Sequence, residues 1–221
     1  MNFPDGLLST AWLVVGHLIY WPVLIFAIWR APWRHLRSNE SMHVLLGATV
    51  IVMLLWTMKA GFAAGLHLHL LGATVLTLMF GWEFAVMAAS VVVLGLAINS
   101  GTGWHMLAVN ALLMGVVPVA VSYGIFRLVD RRLPNNFFVY IFLCAFFGAA
   151  ASIAAVGLVT TAVLSLSHAY SLGYVVDNYL RYFPLMLFPE GFISGMLMTV
   201  FVVYRPRWVS TFDDSRYLKN H

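Results

Sequence analysis

Two histidines stand two residues apart inside an apolar stretch of the chain, the segment 65–73 (GLHLHLLGA). Neutral imidazole binds divalent Co, Ni, Cu and Zn, so His67 and His69 are candidate metal ligands. On a regular helix the two side chains would point about 200° apart, and both could reach one ion only where the backbone is irregular. Gly61 and Gly65 would permit such irregularity, although as a GxxxG pair they also suit close packing of two helices.

A few other polar groups could also carry chemistry. His105 follows the glycine-containing loop 99–104, and His17 lies in the middle of the first apolar segment. Glu190 lies within the last apolar segment, where an ionised carboxylate is costly. We expect Glu190 to pair with Arg181, Lys59 or a hydroxyl group, and a direct ligand role is the alternative.

The composition excludes most other classes of protein. Of 221 residues, 62% are hydrophobic and 9% are charged, whereas a soluble domain carries about 25% charged residues. The chain is therefore expected to be one polytopic membrane domain, 1–221. It contains no P-loop, HExxH or GxSxG motif, so the sequence does not indicate an enzyme.

The apolar segments predict an all-α integral membrane protein with about seven transmembrane helices, since each span needs roughly 20 apolar residues. The predicted spans are about 7–29, 43–58, 62–80, 83–98, 105–126, 137–166 and 180–204. With seven spans, most basic residues fall on one side, which the positive-inside rule makes cytoplasmic. These residues are Arg30, Arg34, Arg37, Arg127, Arg131, Arg132, Arg205, Arg207, Arg216 and Lys219. The amino terminus is then outside and the carboxyl terminus cytoplasmic.

Four short motifs, in this order along the chain, resemble the CbiM family, the membrane substrate-binding components of energy-coupling-factor transporters for cobalt and nickel. Residues 1–9 (MNFPDGLLS) resemble the family's MH-hydrophobic-PDG opening, and 69–73 (HLLGA) its HLxGA motif. Residues 108–118 are similar to its GAN segment and the helix that follows, and 189–193 (PEGFI) match its EG[FL]I motif. The resemblance implies a transition-metal uptake component in the inner membrane, assisted by an ATPase and a coupling membrane subunit.

The resemblance also implies a ligand set. In the family, the free amine of residue 1, the amide nitrogen and imidazole of residue 2, and the histidine of HLxGA form a near-planar nitrogen site, which suits Ni, Co or Cu. The matching positions here are Met1, Asn2 and His69. Asn2 has no imidazole, so either His67 or His105 replaces it, or the chain has kept the fold and changed its ligand. The family fold also implies that Asn2 and His69 lie close together.

Two other classes of function remain open at this level. A haem-binding redox protein could use His17 and His69 as axial ligands. A metal-dependent intramembrane enzyme could use His67, His69 and Glu190, provided that the metal keeps an open coordination position.

Overall fold

The computed structural model describes residues 2–61, 63–101 and 103–213, apart from the side chain of Arg37, and the described chain is mainly helical. The elements in chain order are α1 (Thr10–Arg30), α2 (Asn39–Thr57), β1 (Ala60–Gly61), β2 (His67–Leu68), α3 (Ala73–Phe80), α4 (Trp82–Ser100), α5 (Leu107–Arg132), α6 (Phe137–Leu166), α7 (Leu172–Asn178) and α8 (Phe183–Tyr204). Short 3₁₀ turns lie at Trp33–Arg37, Leu180–Tyr182 and Pro206–Trp208.

Within the described part of the chain, six helical segments are long and apolar enough to cross a membrane: α1, α2, α4, α5, α6 and the α7–α8 segment Leu172–Tyr204. A helix satisfies its own backbone hydrogen bonds in lipid, which is why these apolar runs become helices. A π-helical turn interrupts α5 at Leu112–Val116. Pro118 follows it, and a proline has no N–H to donate to the preceding turn.

Contacts between loops define two faces of the bundle. On the N-terminal face, the Asp5 carboxylate accepts hydrogen bonds from the backbone of loop 103–105, and Tyr170 Oη donates to Ala64 O. On the C-terminal face, Trp208 Nε1 donates to Glu40 Oε1 at 2.7 Å. The N-terminal face thus comprises 2–9, 58–61, 63–72, 99–101, 103–106 and 167–182, and the C-terminal face comprises 31–38, 80–82, 133–136 and 205–213.

The third crossing differs from the predicted continuous helix over 62–80. Its helical part is only α3, eight residues or about 12 Å long, and it is preceded by the β1–β2 hairpin and an extended loop. α2 ends at the N-terminal face, and α4 begins at the C-terminal face, where Trp82 stacks on Phe26 of α1. The segment between them therefore still passes from one face to the other, so the described chain passes between the two faces seven times, although its third pass is not a continuous helix.

Glycine conformation explains the interruption. Gly65 and Gly72 have φ values of 79° and 65°, which other residues rarely adopt. The prediction of Gly61 and Gly65 as a helix-packing pair is therefore wrong, because both lie in the hairpin segment and not on a helix. Non-helical backbone is tolerated at membrane depth where protein covers it, and all eight residues of α3 are buried.

Helix α3 is held on its flanks and at its C-terminal end by polar contacts. Thr74 Oγ1 lies 2.7 Å from Ser122 Oγ of α5 and 3.2 Å from Ser152 Oγ of α6. At its end, Leu78 O accepts from Thr211 Oγ1 at 2.7 Å and Met79 O accepts from Ser210 N at 2.8 Å. Buried hydroxyl groups and the segment after α8 thus fix a helix too short to span the membrane alone.

Candidate metal site

The amino-terminal segment is bonded into the bundle by an asparagine of α5. Asn110, which is 1% exposed, accepts from Phe3 N at 2.7 Å through Oδ1 and donates to Phe3 O at 3.0 Å through Nδ2. Both backbone polar groups of Phe3 are thereby satisfied within an apolar environment. Asn2, the residue before, is half-buried, so the position that departs from the family pattern lies at the edge of the bundle interior.

Asp5 ties the same segment to the loop before α5. Its carboxylate accepts from Gly103 N at 2.9 Å, Trp104 N at 3.2 Å and His105 N at 2.9 Å. Burial opposes ionisation of this carboxyl, but the three amide donations outweigh it and hold the pKa of Asp5 below its ordinary value. The PDG motif therefore has a structural role on the N-terminal face.

The amino-terminal segment packs against the hairpin that carries the histidines. A Cβ atom at Gly65 would lie 2.9 Å from the Phe3 ring and 2.9 Å from Leu7, so this contact requires glycine. The hairpin pairs Gly61 with His67 in antiparallel register. Asn2 is thus brought to the region of the two histidines, and its direct proximity to His69 stays a prediction.

His67 lies in the two-residue strand β2 and His69 in the loop after it, so neither is on the predicted helix. The separation of about 200° that a regular helix would impose therefore does not apply. The His67 ring packs against Gly61, where a Cβ atom would come within 2.9 Å of His67 Cδ2. Both imidazoles belong to the same short non-helical segment, and their binding of one ion stays a prediction.

His69 is prepared as a nitrogen ligand. It is 4% exposed, and its ring centroid lies 5.4 Å from that of Trp56. Its Nδ1 lies 3.1 Å from Leu70 O, which can only accept, so Nδ1 carries the proton. The lone pair is then on Nε2, a buried atom without a hydrogen-bond partner among the described residues. A metal-binding histidine typically has this arrangement.

Burial favours the neutral form of the two imidazoles. His69 is buried and His67 half-buried, and desolvation disfavours the charged form of an ionisable group. Neutral imidazole is the form that binds metal ions.

Glu190 anchors the loop that connects the histidines to α3. Its carboxylate is 2% exposed and accepts from Leu71 N at 2.7 Å and Gly72 N at 2.8 Å. The prediction that Glu190 pairs with Arg181, Lys59 or a hydroxyl is wrong. Arg181 binds Asp177 instead, and Lys59 is exposed. The partners that a cation was expected to supply are instead two backbone N–H groups at the start of α3, where the helix dipole also favours a carboxylate.

The remaining candidates lie in different places. The His105 side chain is exposed, and its backbone amide binds Asp5. His17, half-buried on α1, accepts from Trp21 Nε1 at 3.1 Å. Met1 lies outside the described residues. Among residues 2–61, 63–101 and 103–213, no three His, Cys, Asp or Glu side chains are placed to hold a metal ion, so a site here needs backbone or amine nitrogen as well.

Sequence reasoning missed the residues that hold the site together. Asp5 and Asn110 lie inside the recognised motifs, yet their partners are about a hundred positions away in the chain. Nothing in the sequence marked Trp56 as part of the site, although its indole packs against His69 and donates a hydrogen bond to Leu71 O. An intramembrane asparagine is the one hint that could have pointed to the Phe3 contact.

Comparisons with known proteins agree with this geometry. Residues 2–208 match the family model of CbiM, described as a cobalt uptake substrate-specific transmembrane region. A cobalt transport protein CbiM of Desulforamulus reducens is 26% identical over 91% of this chain and 79% of its own. One of Moorella thermoacetica is 24% identical over 92% and 80%.

Solved structures share the fold. A truncated transition metal transporter superposes with a TM-score of 0.79 at 20% identity and covers 92% of this chain and 99% of its own. A second transition metal transporter has a TM-score of 0.75, also at 20% identity, and covers 90% and 91%. With the family model matched along nearly its whole length, this multi-pass membrane chain belongs to the CbiM family of cobalt uptake substrate-specific transmembrane regions, which are transport components and not enzymes.

Proposed function

We propose that this protein captures a divalent transition-metal ion at its N-terminal face, as the substrate-binding subunit of an energy-coupling-factor transporter. The observation that carries the proposal is the buried His69 Nε2, a lone pair without a hydrogen-bond partner among the described residues. An unpaired polar atom in such a place is costly unless a ligand satisfies it.

The proposed ligands are His69, the amine of Met1, the backbone amide of Asn2, and His67 in place of the imidazole that position 2 lacks. His67 is favoured over His105 because it lies two residues from His69 in the same non-helical segment, while the His105 side chain is exposed. Amine, amide and imidazole nitrogens suit Ni(II), Co(II) or Cu(II). The ion is the transported substrate.

Active transport requires an energy source that this chain does not carry, since its sequence has no nucleotide-binding motif. The proposed partners are an ATPase and a coupling membrane subunit. The proposed location is the inner membrane, with the N-terminal face outside.

Titration calorimetry of the protein in lipid nanodiscs with NiCl₂, CoCl₂ or CuCl₂ tests the proposal. We expect His69→Ala to abolish binding. We expect His67→Ala to weaken it by at least the roughly 10–100-fold that outer-sphere changes cause. His17→Ala is the matched control and should leave the affinity unchanged, because His17 is bonded to Trp21 on α1.

A further variant, Asn2→His, tests the role of position 2. Restoring an imidazole at position 2 should raise the Ni(II) affinity by roughly tenfold or more. If the wild type binds none of the three ions and Asn2→His gains binding, the fold has been retained while its metal function was lost. If His105→Ala abolishes binding and His67→Ala does not, the assignment of His67 is wrong.

A further inference from the structure

We infer that Trp56 and Glu190 are positioning residues that hold the His69 loop from two opposite helices. The inference rests on the proposed function, because it assigns these residues to the same metal site. Neither side chain is proposed as a ligand.

One peptide segment receives both contacts. Trp56 Nε1 of α2 donates to Leu71 O at 2.9 Å, and Glu190 of α8 accepts from Leu71 N at 2.7 Å and Gly72 N at 2.8 Å. Leu71 is 0% exposed, and Trp56 and Glu190 are each 2% exposed. The backbone that follows His69 is therefore bonded on both sides in an environment where water cannot replace either partner.

The indole acts on the histidine as well as on its loop. The Trp56 ring centroid lies 5.4 Å from the His69 ring centroid, so the residue that binds Leu71 O also packs against the imidazole. Leu70 O accepts a hydrogen bond from His69 Nδ1. The direction of Nε2 is therefore set by two restraints. Trp56 and Glu190 hold the backbone at Leu71, and Trp56 also packs against the imidazole ring.

Near this loop, α2 and α8 are joined through the backbone of Leu71 and Gly72. Towards the C-terminal face the two helices flank an apolar cavity of ≈ 370 Å³, lined among others by Ile51 of α2 and Ile193 of α8. At the far end of this cavity, Trp208 and Glu40 form a second indole–carboxylate contact. The Trp56–Leu71–Glu190 bridge is therefore a discrete connection at the metal site, and the Trp208–Glu40 pair offers a matched control.

Two variants change the contacts of the bridge without creating a large cavity in the core. Glu190→Gln keeps one acceptor but turns an amide N–H towards a backbone N–H, and Trp56→Phe keeps an aromatic ring but removes the indole donor. We expect Kd for Ni(II) to rise roughly 10–100-fold in the first and towards the lower end of that range in the second. The visible absorption band of bound Cu(II) should shift in both, because the imidazole changes its angle to the metal.

The controls are Glu40→Gln and Trp208→Phe, which make the same chemical changes at the opposite face. They should leave Kd within about twofold of wild type, since distant sites act independently. Helical circular dichroism of all four variants checks that the fold is retained.

A metal-free measurement separates this inference from the proposed function. Diethyl pyrocarbonate modifies neutral imidazole, and the buried His69 should react slowly in the wild type, with the exposed His105 as internal reference. The His69 rate, read by peptide mass spectrometry, should rise severalfold in Glu190→Gln and Trp56→Phe and stay unchanged in both controls.

The outcomes are distinct. Unchanged His69 rates in both bridge variants overturn the inference, whatever the metal titrations give. Wild-type Kd values in both variants, where the wild type itself binds metal, also overturn it. If the wild type binds no metal while both bridge variants expose His69, the positioning role stands and the proposed function fails.

Discussion

The two ends of the bundle differ in their polar residues. At the N-terminal face or just inside it, Asp5, Asn110 and Glu190 each bind backbone groups of an irregular segment, and two of the three are at most 2% exposed. At the C-terminal face or next to it lies a group of exposed arginines. The described ones are Arg30, Arg34, Arg127, Arg131, Arg132, Arg205 and Arg207.

Two of these arginines lie over aromatic rings. The Arg127 guanidinium lies 6.0 Å from the Tyr123 ring centroid, and that of Arg205 lies 5.8 Å from the Trp208 ring. Exposed cations next to membrane spans are the residues that orient a protein in the membrane. Buried groups that bind backbone hold a particular conformation. The difference is the one expected if the proposed metal site lies at the N-terminal face and the arginines set its orientation.

The largest expected effect concerns the orientation of the two faces in the membrane. In a Cys144→Ala background, a membrane-impermeant maleimide should label Ser9→Cys from outside intact cells, because Ser9 lies on the N-terminal face. Ser38→Cys, on the C-terminal face, should react only after permeabilisation. Equal labelling of both positions from outside would contradict the predicted orientation.

A smaller effect should distinguish buried from exposed polar contacts. Asn110→Ala leaves the buried N–H and C=O of Phe3 unpaired, which costs about 1–3 kcal/mol for each group. Thermal unfolding in nanodiscs should show this loss together with weaker metal binding. The control, Asn178→Ala, removes a contact to Tyr174 O at an exposed site. Equal destabilisation by both substitutions would argue against the anchoring role of Asn110.

The smallest effect is a pH slope, and it identifies the ligands. Protons compete with the metal at ligands that lose a proton on binding, here the amine of Met1 and the backbone amide of Asn2, whereas imidazole binds in its neutral form. A free amine has a pKa of about 7.7–8.0, and the amide N–H keeps its proton until the metal replaces it. The Ni(II) affinity should therefore fall about tenfold per pH unit through the amide, and about a hundredfold per unit below about pH 7.5, where the amine is protonated as well.

An amino-terminal extension of the chain is the control for this slope, because it blocks the amine. It should weaken binding and remove the steeper part of the pH profile below about pH 7.5, leaving the slope of about tenfold per unit that the amide causes. A single break near pH 6.5, the ordinary range of an exposed histidine, would show instead that an unburied imidazole is the titrating ligand.

Much of the fold could be predicted from local properties of the chain. The sixth predicted span, 137–166, coincides with α6, and the others differ by a few residues at their ends, apart from the third. The grouping of arginines on one face is likewise confirmed for the described residues. The length of an apolar segment and the charge of a loop are properties of neighbouring residues. Because the membrane selects for both directly, spans can be predicted without knowing which distant residues are in contact.

The third span shows where local reasoning ends. Its composition is as apolar as that of a helix, but Gly65 and Gly72 adopt positive φ values and the strand His67–Leu68 lies between them. Which glycines adopt this conformation depends on what packs against them, here Phe3 against Gly65. The assumption of a regular helix therefore gave His67 and His69 opposite directions that the non-helical backbone does not impose.

From the sequence alone it could be predicted that this chain is a mainly helical multi-pass membrane protein and that it shares its motifs with the CbiM family. These properties follow from composition and from residues close together in the chain. The binding of Glu190 to the loop after His69 and of Asn110 to Phe3 became visible in the folded chain. Those partners are separated by 119 and 107 positions in the chain, and only the packing of whole helices brings such distant groups within hydrogen-bond distance.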